Sequence, residues 1–535
     1  MRKFRVLPLL VAVSLAGQAQ GADLMSIARD ALIYNADLSA SRAGFESTRA
    51  GEDIERGDLL PQISATGSVT RYDTMSSQSS SAGAAGGGGA SGGAAASGGD
   101  DNYVGESVQL QATQSLFNAT NWYQLETAER QTAQQALTLR ADRQQLLYNV
   151  AEAYFEVLRA RELLDTLRAE ELAVERQLEQ VRQQFDVGIV AATDVYEAQA
   201  TFDLTRAQRI AQESTLRVNF EALEQLTGKQ YASIDGLTEA MPVERPEPSA
   251  PQAWVDMAST QNLDVLAARA GVEIARSRLD VSRAGHLPTV SAFANYSYSD
   301  NNRDALRGHN EENQIGVEAS IPIYTGGSTS AQVRQSTWSL EQTQYQQTSA
   351  LRSAIQQVRS FYAQSVNNVL TVQAQQRAIE SSRSALIATR NGYQAGTRTI
   401  VDVLQAQQSL FSAIANYAEA RYNYVLNMLS LRQQAGVLDV DTLEVLNNYL
   451  SADQAVSLDI SAQDNVNPRV DDTLSELGMD GPSPLEQSGD VPSRDLPPPE
   501  QLDSPRGGLG VDNLDELDTG LDESGGGALY DDSGY

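Results

Sequence analysis

Two stretches of this chain, 120–184 and 328–391, each run for more than sixty residues without a proline or a glycine. Both are rich in Ala, Gln, Glu, Leu and Arg, which favour helix. At 1.5 Å per residue each stretch is a rod of roughly 95 Å. Helices in globular domains are far shorter, and helices this long pack side by side as coiled coils. Leu146, Leu147, Val150, Tyr154, Val157 and Leu158 recur at helical spacing and are expected to be interhelix contacts, not a cofactor box.

The rods are copies of one another, and so is what surrounds them. Asn35-x-Asp37 matches Asn262-x-Asp264, and Leu60-Pro61 matches Leu287-Pro288, both at an offset of 227. Phe185-x-x-Gly188 matches Tyr393-x-x-Gly396, Asp194-Val195 matches Asp402-Val403, and Gly228 matches Gly436, all at 208. The change of offset has a local cause, a Ser, Gly and Ala insert at about 76–99 in the first copy. It has no Gly-Lys-Ser/Thr ending, so it reads as an exposed hairpin loop and not a phosphate cradle.

Each copy also carries two runs of strict alternation. Val104, Glu106, Val108, Leu110, Ala112, Gln114 and Leu116 share one face, and Ile315, Val317, Ala319, Ile321 and Ile323 share another. Their partners lie near 62–72 and 289–298. Period two with one apolar face is a half-buried strand, and ten to twelve residues is the length that crosses a bilayer at a tilt. Tyr72, Tyr103, Tyr296 and Tyr298 fall near strand ends, where interfacial aromatics belong. Four strands are too few to close a membrane barrel, which needs about eight. A barrel built from them has to be shared, by two chains for eight strands or three for twelve.

Composition narrows the setting. Arg2, Lys3 and Arg5 precede a short apolar run, 6–16, and Ala19-Gln20-Gly21 supplies small residues for cleavage, expected after Gly21. No segment is long and apolar enough for a transmembrane helix. The mature chain is therefore expected to be soluble in the periplasm, secreted, or in an outer membrane. The chain has no cysteine and two histidines, His286 and His309, which excludes disulfides, thiolate sites and a histidine metal centre. The formal net charge of −31 argues against nucleic acid as a partner. Lysine occurs only at Lys3 and Lys229. Residues 452–535 hold 20 Asp or Glu against Arg469, Arg494 and Arg506, with much Pro, Gly and Ser, and are expected to be disordered. No nucleophile motif, metal cluster or cofactor fingerprint stands out, so no enzymatic activity is expected.

Each rod ends at a small turn, Phe185-Asp186-Val187-Gly188 or Tyr393-Gln394-Ala395-Gly396, followed by a second helix. Asp194 lies three residues before Glu197, and Thr399 three before Asp402, the spacing of a capping box. Strands thus sit at one end of the rods and turns at the other.

These features together resemble the TolC-family outer-membrane channels, over about 22–450. The likeness rests on Phe185 to Gly188 through Thr193-Asp194-Val195, on Gly285-His286-Leu287-Pro288-Thr289, on Ile323-Tyr324-Thr325-Gly326-Gly327, on Gly396 through Leu404, and on Ala420-Arg421-Tyr422-Asn423-Tyr424. The resemblance implies an α+β membrane protein, in which long antiparallel helices form an α-barrel and four strands per chain join a β-barrel shared by a homotrimer. It implies a passive exit duct for multidrug efflux or type I protein secretion, set in outer-membrane lipid and projecting into the periplasm. The partners it implies are a periplasmic adaptor (membrane fusion) protein and an inner-membrane RND or ABC transporter. It implies closure at the helical tips, with Tyr393 and Arg398 of one copy bonded to Gln177, Thr193 and Asp194 of the other. Asp402 would place a carboxylate in the constriction, and Gln405 stands where the family pattern has a second aspartate, which predicts a thinner anionic ring.

The expected divisions are a signal peptide at 1–21, a first repeat at 22–228, a linker at 229–253, a second repeat at 254–436, a short segment at 437–450 and the acidic tail at 451–535. The rival reading is a coiled-coil periplasmic or surface structural protein or adhesin without a pore. The clean strand alternation speaks against it.

Overall fold

The computed structural model describes residues 22–74, 101–301 and 308–458. The expected signal peptide, the Gly/Ser insert and the acidic tail from 459 onward lie outside the described residues. All described residues belong to one compact unit.

The first copy runs α1 (Leu24–Tyr34), α2 (Ala36–Gly57), β1 (Gln62–Thr74), β2 (Asp101–Phe117), α3 (Ala119–Asp186) and α4 (Ala192–Thr227). A strand β3 (Ser233–Leu237) follows. The second copy repeats the order as α5 (Pro251–Gln261), α6 (Leu263–Ala284), β4 (Thr289–Asn301), β5 (Gly308–Ser320), α7 (Ser328–Gln394) and α8 (Ile400–Ala435). The chain closes with α9 (Val440–Asn447) and β6 (Leu450–Ser457). The rods α3 and α7 have 68 and 67 residues, and α4 and α8 have 36 each.

The repeated Asn-x-Asp has a structural reason. Asn35 Oδ1 accepts the Leu38 N–H at 2.9 Å, and Asn262 Oδ1 accepts the Val265 N–H at 3.0 Å, capping α2 and α6. Each Nδ2 donates to a carbonyl near the C-terminus of the 36-residue helix of its own copy, Leu226 in α4 at 3.0 Å and Gln434 in α8 at 2.9 Å. One side chain thus starts one helix and finishes another.

α3 packs between α2 and α6 towards the strands and between α4 and α8 towards the tips, with α7 alongside α6 and α8. The central apolar cluster gathers Leu24, Ile27, Tyr154, Phe155, Leu216, Leu223, Ile234, Leu429 and Leu443. It lies where α1, α9 and the small β3–β6 sheet meet the rods. The expected linker holds β3 and, from Pro251, the first residues of α5. One expected boundary needs correction here. The first residues of the expected disordered tail, 451–457, are strand. Val456 is buried and pairs with Ile234, so this short piece gains an apolar anchor that the composition of the whole tail hides.

At the other end the two hairpins are one antiparallel sheet in the order β1-β2-β4-β5. One face is an apolar row of Ile63, Ala112, Ala294 and Ile315 in register, flanked by Ala65, Leu110 and Tyr296. Ile63 and Ile315 are 79% and 87% exposed. The opposite face carries Ser64, Gln111, Asn295 and Gln314 in register, and the Ser68 and Ser107 hydroxyls meet at 2.8 Å. Phe293 is the apolar exception on that face, and its ring covers the Cβ position that Gly316 leaves empty. No helix among the described residues is long and apolar enough to cross a membrane.

Candidate functional site

The helical tips bring together most of the residues expected to matter. Both rods end in the same way. Gly188 (φ 79°) donates to the Phe185 carbonyl and Ile189 to the Gln184 carbonyl, each at 2.9 Å. Gly396 (φ 74°) donates to Tyr393 at 2.9 Å and Thr397 to Gly392 at 2.8 Å. This paired pattern needs a left-handed residue, which glycine adopts without steric cost.

The helices that restart after the turns differ. Thr399 caps α8 as expected, with Asp402 Oδ2 accepting the Thr399 N–H at 2.9 Å and the Asp402 N–H bonded to Thr399 Oγ1 at 3.3 Å. The Thr399 amide and then its hydroxyl hold the Asp402 carboxyl below the usual carboxylate range, helped by Arg398. The Asp194/Glu197 box does not form. The cap of α4 is Ala191, which has no capping side chain, and Asp194 lies in the first helical turn, at the position equivalent to Asp402. An acidic residue at this point of a helix reads equally well in sequence as a cap or as the third residue of a turn.

Tyr393 joins the two copies. Its hydroxyl donates to Gln184 Oε1 at 2.6 Å. Burial, and then the negative charge of Asp194, push its phenol up. Gln177 does not take part. It lies two turns further up α3, 3% exposed among Val174, Leu178 and Val181, and its Nε2 has no partner among the described residues. Arg398, just before α8, is 62% exposed and its Nη1 stands 3.9 Å from Asp402 Oδ1 in the first turn of that helix. Thr193 and Gln405 are exposed.

Sequence reasoning missed Gln184, the partner of Tyr393. It also missed the clasps between α3 and α4: Arg182 Nη2 donates to Gln199 Oε1 at 2.5 Å, and Arg209 links Glu171 on α3 to Glu213 at 2.6 Å on its own helix. Helical spacing signals the Arg209–Glu213 pair, but nothing in a single sequence gives the register of α3 against α4. Among the described residues no group of three or more Asp, Glu, His or Cys is arranged to hold a metal ion. His309 stacks on Tyr298 near the far end of the sheet.

The sequence pattern of the outer membrane efflux proteins matches residues 27–229 and 254–437, one match for each copy. The chain belongs to the outer membrane efflux protein family. It is 33% identical over 459 residues to the outer membrane protein TolC of Vibrio cholerae, covering 82% of this chain and 98% of that protein. It is 32% identical to TolC of Escherichia coli, covering 84% and 89%. The alkaline protease secretion protein AprF of Pseudomonas aeruginosa is 31% identical over 66% of this chain and 74% of its own. Among solved structures the fold matches CusC with a TM-score of 0.66 at 20% identity, over 77% of this chain and 92% of that one. The Campylobacter jejuni CmeC outer membrane channel matches with a TM-score of 0.63 at 16% identity, over 84% and 98%. The TolC-family resemblance and the α+β channel architecture are thus confirmed. This efflux family member is an outer-membrane protein with a periplasmic extension, a subunit of an exit duct for efflux or secretion.

Proposed function

We propose that three copies of this chain close a twelve-strand barrel in the outer membrane and a matching helical tube in the periplasm. The observation that carries this is the single sheet β1-β2-β4-β5, apolar on one face and polar on the other, with β1 and β5 as its edge strands. Exposed apolar faces belong in lipid, and open edges call for further strands. The duct is passive. Work is supplied by an inner-membrane transporter of the RND or ABC class, coupled through a periplasmic adaptor. Such partners suit a chain whose relatives include both efflux and protease secretion proteins.

The helical tips are the gate. Tyr393 holds α7 to α3 through Gln184, and Arg398, exposed on its own chain, is placed to reach carboxylates and carbonyls of a neighbouring copy with its planar fork. Thr193 and Asp194 present such groups on α4. Asp402 contributes one carboxylate per copy to the entrance, and Gln405 leaves the ring one charge short. Native mass spectrometry of the detergent-extracted protein should give a trimer, and planar bilayers containing it should conduct. A monomer without conductance would support the adhesin reading instead. Gln405→Asp should strengthen block by trivalent cations, and an unchanged block would remove that position from the lumen.

A further inference from the structure

Ala22 is the first described residue, and it is built into the molecule. Its N–H donates to the Ser233 carbonyl at 2.9 Å, and its carbonyl accepts the Asp235 N–H at 3.2 Å, a parallel bridge to β3. Parallel pairing sets residue 23 beside residue 235 on one face of this sheet. Two carboxylates therefore meet there. Asp23 is fully engaged: Oδ1 accepts the Ser26 N–H at 2.9 Å, Oδ2 accepts Asn447 Nδ2 at 3.1 Å, and Arg29 acts on it from α1. Asp235 Oδ1 is shut off from solvent and has no partner among the described residues. The Tyr154 hydroxyl faces the same spot but donates to the Asp235 backbone carbonyl at 2.6 Å. Burial and then the charge of Asp23 push the Asp235 carboxyl up, and no cation offsets them.

The sequence supplies a cation at this point. Cleavage after Gly21, expected from Ala19-Gln20-Gly21, turns the Ala22 amide into an α-ammonium. We infer that the mature chain begins at Ala22 and that its α-ammonium is a structural charge of the β3 sheet, held by the Ser233 carbonyl and set against the half-buried carboxylate of Asp235, whose Oδ1 is enclosed. An unprocessed chain offers only a neutral amide there. Removal of the leader thus completes the mid-length sheet in which the N-terminus, β3 and β6 meet. This inference stands independently of the channel reading.

The test exploits an unusual composition. With Lys3 lost, the mature chain has two primary amines, the Ala22 α-amine and Lys229 Nζ, which pairs with Asp30 Oδ1 at 2.7 Å. Intact mass of the protein purified from membranes identifies the first residue. Trace acetylation with acetic anhydride across pH, read by peptide mass spectrometry, then gives the α-amine pKa. An ordinary α-amine titrates near 7.7–8.0. The wild-type value should lie about one unit higher, making the amine about tenfold less reactive at pH 7. In Asp235→Asn it should return to the ordinary range. A mature chain starting elsewhere, an ordinary value in the wild type, or a raised value that survives Asp235→Asn would each overturn the assignment. Should Asp235→Asn not assemble, the start site and the wild-type value decide.

Discussion

The two helical tips share a backbone and differ in chemistry. At both, a glycine at positive φ ends the rod through the same pair of carbonyl bonds. Around it, the first copy has Val187 and Ile189, which are 70% and 73% exposed, and then an uncapped Ala191. The second continues with Thr397, Arg398 and the Thr399–Asp402 box. Duplication has kept what the backbone requires and left the side chains free to diverge. The polar groups of the proposed latch are concentrated in the second copy.

The contrast extends up the helices, and substitutions there can break it. The largest effect is expected at the far ends of α4 and α8. Gly228 and Gly436 both adopt positive φ, but a Cβ at Gly228 meets open space, whereas one at Gly436 would lie 2.3 Å from the Gln261 carbonyl oxygen. Gly228→Ala should cost about 1–2 kcal/mol, the ordinary left-handed penalty. Gly436→Ala should cost more than about 3 kcal/mol, because the Gln261 backbone must move as well. Heating midpoints of the assembled protein compare the two, and equal losses would erase this difference between the copies.

Next in size is Glu170. It is 9% exposed on α3, where the second copy has Ala378. Burial alone raises its carboxyl from 4.5 to about 7. A carboxyl raised in the folded state binds its proton more tightly there than when unfolded. Stability should therefore fall as the pH rises from about 4.5 to about 7 and stay level above, by up to about 3 kcal/mol. Glu170→Ala, which copies the second repeat, should remove that slope from unfolding measured between pH 5 and pH 8. A slope unchanged by the substitution would place the titration elsewhere.

The caps give the smallest effect. Thr399→Ala should cost about 1 kcal/mol in heating or denaturant midpoints, and Ala191→Thr should recover a similar amount in the first copy. Asp402 titrates below the usual range, so its part in the box is present above ordinary carboxyl pKa values. It is lost as the pH falls through the lowered folded value. No gain from Ala191→Thr would mean that the first copy's turn does not need a cap.

These contrasts also mark what a single sequence can reveal. The rods were legible because 120–184 and 328–391 lack any helix breaker, and they extend only a few residues further. The sheet faces were legible from alternation, and Thr399–Asp402 from its spacing. Tyr393–Gln184 and Arg182–Gln199 were not, because each depends on how one helix slides against another, which no local pattern encodes. Gln177 was expected among the gate bonds, but it falls on the buried stripe of α3 with Val174, Leu178 and Val181. The β6 strand was hidden by averaging eight residues with the acidic segment that follows.

The gate assignment is most directly tested by single-channel conductance in planar bilayers of Tyr393→Phe and Arg398→Ser. Tyr393→Phe removes the hydroxyl that holds α7 to Gln184 and leaves the ring packed. Arg398→Ser removes the fork proposed to reach a neighbouring copy, while its salt bridge within the chain, being exposed, contributes little. Both variants should assemble as trimers and conduct more than the wild type, with the double variant highest. Unchanged conductance in both would contradict closure by the second copy's tip.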